Sequence, residues 1–185
     1  MDQLVRDTFV EMTSESQTAP FAGKKRLDVQ QAEIPCPETS RFFYIAVGAE
    51  WGWYDRLQWN RERWFAHASR QDLATWIGFT RGSPAGYFEL VSHPDNEIEI
   101  LSFGLLPTFI GCGLGKELLA AAIECAWQTG PSRIWLSTCS LDHPHALPNY
   151  QAAGFKIFKT TEAVANLPDH PNTFWPPSSS TANGR

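Results

Sequence analysis

Three short runs in this chain of 185 residues carry residue types suited to chemistry. The first is Gly111-Cys112-Gly113-Leu114-Gly115, set between a β-rich run and a helical stripe. Glycines let the backbone turn tightly and come close to a ligand. A helix start offers N–H groups without internal partners, at the positive end of the dipole. That combination suits a diphosphate. The dipole contributes about 0.3–1 kcal/mol per charge at an exposed site, so several amides must act together. A Walker loop needs GxxxxGK followed by Ser or Thr; here Gly115-Lys116 precedes Glu117 and Ile110 holds the first glycine position. A dinucleotide fingerprint needs GxGxxG after a first strand, and the spacing is GxGxG further along. An ordinary glycine-rich turn is the plain alternative.

The second run, CSLDHPHALPNY, is polar and His-rich beside an apolar stretch, which predicts that it lines a site and makes Asp142 and His145 candidates. Cys139 opens it. A cysteine acyl-enzyme is chemically feasible, but no His stands before it as an evident dyad partner, so a small buried residue is the better reading. The third run is VGAEWGWYDRLQWNRERW. Five of the eight tryptophans, Trp51, Trp53, Trp59, Trp64 and Trp76, fall early in the chain. Core and edge packing is the plain explanation; an aromatic wall around a small-molecule site is the sharper one.

The elements that must position these residues follow from pattern. Residues 1–25 are mixed and polar and are expected as an arm. A first strand is expected within Arg26–Ile34. PETSRFFYIAVG predicts a helix with Pro37 in its first turn, and LQWNRERWFAHASR a second. LATWIGFT and AGYFELVS, separated by RGSP, predict a hairpin. NEIEILSFGLL predicts a further strand. Leu114, Leu118, Ala122 and Ala126 form a core-facing helical stripe, closed by Gly130-Pro131. RIWLSTC reads as a buried strand, HALPNYQAAG as a short helix with Pro148 inside it, and FKIFKTT as a last strand. From residue 166 the chain is Pro- and Ser-rich, which predicts a flexible tail. Hairpins followed by alternating elements indicate one domain over 26–165 with a mixed α/β sheet.

Composition narrows the class. The formal net charge is −5 and no Lys/Arg block occurs, which argues against a nucleic-acid partner. No apolar run approaches 18 residues, so no membrane span is expected. Four cysteines without a CxxC pair, and no zinc-like Cys/His spacing, predict no metal site and reduced thiols. The start lacks a basic-then-apolar signal pattern, and a cytoplasmic location is expected.

Two motifs together resemble the GCN5-related N-acetyltransferase (GNAT) family. LLPTFIGCGLGKELL is similar to the family's Q/R-x-x-G-x-G/A loop with its upstream lead. About 40 residues on, Ala146, Tyr150, Gly154 and Phe155 match A-x-x-x-Y-x-x-x-G-F. The likeness runs from about Trp76 to Phe158. It implies a GNAT fold of six to seven strands and about four helices. It also implies acetyl-CoA as cosubstrate, with Ile110, Gly111, Cys112, Gly113, Leu114, Gly115 and Lys116 cradling its pyrophosphate. Phe103, Gly104 and Leu105 would pair with the pantetheine arm, one N–H polarising the thioester oxygen. His143 stands where many members carry Asn, and Ile110 where the family prefers Arg or Gln.

The reaction implied is acetyl transfer to a primary amine by direct attack in a ternary complex. An alkylammonium of pKa ~10.4 is only ~0.04% neutral at pH 7, so freeing the amine costs roughly 4–5 kcal/mol. Tyr150 would protonate the departing thiolate. Glu99 is the first candidate for the base, with Glu97 second because strand alternation puts it on the same face. In the family the first two helices and their connection line the acceptor site. Here that implies Trp51, Trp53, Tyr54 and Trp59 as the wall, with Asp55 or Glu50 holding an ammonium. A small amine is the expected acceptor, and a homodimer is left open. A non-catalytic acyl-CoA sensor is the alternative.

Overall fold

A computed structural model describes residues 2–167 and contains a seven-stranded mixed sheet with four α-helices. The strands are β1 (Asp2–Met12), β2 (Asp28–Gln31), β3 (Leu73–Thr80), β4 (Ser83–His93), β5 (Glu97–Leu105), β6 (Arg133–Cys139) and β7 (Lys156–Asn166). The helices are α1 (Pro37–Gly48), α2 (Arg61–Ala68), α3 (Gly115–Trp127) and α4 (Ala146–Ala153). The order across the sheet is β2-β3-β4-β5-β6-β1-β7. All neighbours are antiparallel except β5 and β6, which run parallel.

The pattern-based expectations for β2 to β7 and for the four helices agree in type and place. The N-terminal segment differs. Instead of an arm throughout residues 1–25, Asp2–Met12 is a strand lying between β6 and β7. Val5, Thr8, Val10 and Met12 are its buried residues. Their alternation is broken between Val5 and Thr8 and diluted by charges, and so reads weakly. The tail expected from residue 166 lies outside the described residues from 168 onward.

The main core lies on one face, where α3 lays Leu118, Leu119, Ala122, Ile123 and Ala126 against Val10, Phe88, Ile98, Ile100, Ile134 and Leu136. This is the helical stripe predicted from spacing, meeting strand residues of period two. On the opposite face α1 stacks Phe43 on Tyr87, ring centroids 5.0 Å apart. There Gly104 has no side chain to hold α1 off: a Cβ would lie 2.4 Å from Val47 Cγ1.

A charged cluster sits under α2. Glu89, 1% exposed, accepts hydrogen bonds from His67 Nε2 at 2.9 Å, Ser102 Oγ at 3.0 Å and Arg56 Nη1 at 3.3 Å. Burial pushes the Glu89 carboxyl pKa up; the His67 hydrogen bond and charge, with Arg56 and Ser102, more than offset it and hold it below its ordinary value. The folded state therefore binds that proton less tightly than the unfolded chain. Stability from Glu89 is present above about pH 4.5 and is lost as pH falls through the depressed pKa. Glu89→Ala leaves Arg56 and His67 without their acceptor and is expected to cost about 3 kcal/mol in urea unfolding at pH 7. The gap between variant and wild type should shrink below about pH 4.5. Equal stability at pH 7 would exclude the role.

Candidate functional site

The site begins where β5 and β6 part. Their parallel pairing covers only Glu97–Glu99 against Arg133–Trp135. Opposite β4 the register shifts, Leu90 facing Ile100 but Glu89 facing Ser102, so Leu101 is an extra residue. Such a bulge bends and twists its strand. Beyond it β5 stays with β4, while β6 stays with β1, Ile134 to Cys139 facing Met12 to Asp7. The two strands diverge and leave an unpaired edge on β5.

A cleft of about 710 Å³ fills the gap, within the range of small-molecule and cofactor sites. Phe103, Gly104 and Leu105 form one wall, and Leu136 to Cys139 the other. At one end lies the glycine loop. Gly111 and Gly113 have φ of 78° and 76°, a region that L side chains rarely adopt. Leu114 caps α3 without a side-chain bond. Among the described residues, none accepts a hydrogen bond from the N–H groups of Gly111, Gly113, Leu114, Gly115 or Lys116. These donors and the start of α3 make a cradle for an anion.

Tyr150, 6% exposed, also lines the cleft. Pro148, awkward in sequence, occupies the first turn of α4, where its missing N–H leaves no bond unmade. Gly154 closes the helix at φ 114°, and Phe155 N donates to Tyr150 O at 3.1 Å. Packing against Phe103 and Phe155, with ring centroids 6.1 and 6.3 Å away, fixes the tyrosine ring. Burial raises the Tyr150 pKa well above the ordinary phenol value, and the Asp142 carboxylate adds to the rise.

The far end is acidic and aromatic. Asp7, Asp55 and Asp142 line it with Trp51, Trp53, His143 and His145. Asp142 Oδ2 accepts from Thr138 Oγ1 at 2.5 Å and from Cys139 N at 3.1 Å. Burial nevertheless raises its pKa, the Thr138, Cys139 and Trp53 interactions opposing and the Asp7 charge assisting. His143 Nδ1 accepts from His145 N at 3.1 Å, which assigns the proton of a neutral ring to Nε2. Its ring lies 5.1 Å from that of Trp51.

Most of the residues singled out in the sequence meet in this cleft. Phe103, Gly104, Leu105, Ile110, Gly111, Gly113, Gly115, Lys116, His143, Tyr150, Trp51, Trp53 and Asp55 line it. Six others do not. Leu114, 3% exposed, turns into the protein, and Cys112 is exposed. Tyr54 lies off the lining, and Trp59 packs on Trp64 and carries the Arg63 guanidinium 4.5 Å over its ring. Glu99 is paired with His93 at 2.9 Å and Glu97 with Arg133 at 3.1 Å, both outside the lining. Both lie on the stretch of β5 that is still paired with β6, before the strands diverge. Cys139 lines the cleft with its thiol pKa raised by burial and Asp142, which disfavours a thiolate nucleophile. Asp7 escaped notice because its strand did.

A family model described as Acetyltransferase (GNAT) family matches residues 30–155. Among solved structures, a GCN5-related N-acetyltransferase from Sphaerobacter thermophilus is 18% identical at a TM-score of 0.65, over 88% of this chain and 51% of that one. The ribosomal-protein-S18-alanine N-acetyltransferase of Escherichia coli is 17% identical at 0.55, over 70% and 77%. An aminoglycoside acetyltransferase from an uncultured soil metagenomic sample, solved with sisomicin, is 10% identical at 0.57, over 69% and 87%. Identities this low speak for the fold alone. The chain spans 62%, 51% and 57% of the length of three longer solved relatives. No curated protein matches it in sequence.

Proposed function

The chain belongs to the acetyltransferase (GNAT) family, and on that premise we propose that it moves an acetyl group from acetyl-CoA to a primary amine of a small cationic molecule, by direct attack in a ternary complex. One observation carries this reading: a single cleft is lined by the glycine loop with its bare amides, the free edge of β5, Tyr150, and a set of acidic and aromatic residues. The pyrophosphate would lie on Gly111–Lys116. The pantetheine arm would pair with the β5 edge at Phe103–Leu105, as an added strand does. The thioester would then lie beside Tyr150.

The acceptor enters from the other end. Among the described lining residues Lys116 is the one Lys or Arg, and it belongs to the glycine loop, whereas Asp7, Asp55 and Asp142 supply negative charge. An ammonium is attracted there, with Trp51 and Trp53 as apolar or cation–π surface. For the base the geometry favours Asp142 over Glu99 and Glu97. It lines the cleft and its raised pKa increases its affinity for a proton, while the glutamates are ion-paired elsewhere.

A thiol-release screen of primary amines with acetyl-CoA tests the reading; no release above hydrolysis with any amine, despite acetyl-CoA binding, would leave a sensor of acyl-CoA instead. With an accepted amine in hand, Asp55→Asn should raise the acceptor KM about 10-fold and leave the acetyl-CoA KM unchanged, the loss of one charge-assisted contact. An unchanged acceptor KM would remove Asp55 from the amine site.

A further inference from the structure

We propose that Arg26 binds a phosphate of the acyl carrier, supplying at the glycine loop the cation that Ile110 does not. The inference rests on the acyl-CoA reading above. Arg26 lies just before β2, far from the loop in sequence, yet its guanidinium is on it. Nη1 donates to Cys112 O at 3.0 Å, and a Cβ at Gly113 would lie 3.3 Å from Nη2.

A dedicated anchor holds it there. Glu117, in the first turn of α3 and 5% exposed, accepts both Arg26 N at 2.5 Å and Leu27 N at 2.7 Å through Oε1. Its Oε2 is buried, makes no hydrogen bond among the described residues, and faces Arg26 Nε at 3.8 Å. The carboxylate thus fixes the backbone that presents the arginine and partly balances its charge. A guanidinium at the start of a helix sits against the positive end of the dipole. Glu117 offsets some of that repulsion, and an anion on the loop would offset the rest. The side chain remains 43% exposed, and a guanidinium has five N–H donors in a fork that fits phosphate, of which one bond to Cys112 O uses only a part.

Two phosphate sources are within the chemistry. The diphosphate would lie on the loop itself. The ribose 3′-phosphate would lie in the adjoining groove of about 270 Å³, lined by Arg26, Asp28, Gln30, Phe79, Arg81 and Gly82. Both are phosphate esters of the same carrier, and the experiment separates them.

The full chain is titrated calorimetrically with CoA and with 3′-dephospho-CoA. Arg26→Ala should weaken CoA about 10–100-fold, the scale of one or two hydrogen bonds to a charged group, and should flatten the salt dependence of Kd. Arg26→Lys should restore part of the affinity, keeping the charge without the fork. If the loss persists with 3′-dephospho-CoA, the partner is the diphosphate; if it vanishes, the ribose phosphate. Wild-type affinity for both carriers in Arg26→Ala, or a loss with unaltered salt dependence, would overturn the assignment. A wild-type chain that binds neither carrier would overturn the acyl-CoA reading itself, a result recognisably different from either.

Discussion

Tyr150→Phe should lower kcat about 100-fold or more, with the Kd for acetyl-CoA changed less than about twofold. A positioned general acid contributes typically 10²–10⁴-fold, and here it would protonate the thiolate as it leaves. Phenylalanine keeps the ring contacts to Phe103 and Phe155, so the melting temperature should hardly move and the rate loss reads the hydroxyl alone. The pH dependence has a definite sign. Burial and Asp142 raise the phenol pKa above 10, so the hydroxyl stays protonated throughout the neutral range. Wild-type kcat should therefore show no alkaline fall from this group below about pH 10. The folded state also holds this proton more tightly than the unfolded chain, so the stability it contributes declines only as pH rises beyond about 10. A Phe variant with wild-type kcat would place the proton elsewhere.

Gly111→Val and Gly113→Val should each raise the Kd for acetyl-CoA about 100-fold or more, whichever amine is used. Both glycines hold φ near 77°, where a β-carbon costs roughly 1–2 kcal/mol of strain. That strain alone predicts a drop in melting temperature and nothing else. The affinity loss comes from the second effect: relaxation of the turn re-aims the bare N–H groups, and a side chain stands over the cradle. The two positions differ in a useful way. A Cβ at 111 meets nothing within 4 Å, whereas one at 113 meets the Arg26 guanidinium at 3.3 Å. Valine at 111 therefore isolates the amide cradle, and valine at 113 also displaces the arginine, so its effect should be the larger. Lower stability with unchanged acetyl-CoA affinity at both positions would reduce the loop to a turn.

The sheet-forming runs from β2 to β7, the four helices and the glycine loop were legible before any fold was known, because each is written in local signals. A stripe of i, i+4 apolar residues and a Gly-x-Gly before a helix need no knowledge of distant partners, whereas Tyr150 was singled out by the resemblance to the family's motif through Gly154-Phe155. Tertiary structure alone decided three things. Asp2–Met12 became an interior strand because it fills the edge of β6 that faces away from β5 and in turn takes β7 on its other side, and no local pattern in the N-terminal segment announces that. Glu97 and Glu99 fell outside the cleft because strand alternation fixes their face while a bulge at Leu101 fixes where the strands part. Arg26 reached the glycine loop through a carboxylate 91 residues away. Charges are placed by whichever backbone folds beside them, and that neighbour is set by the sheet order, which no short stretch of chain encodes.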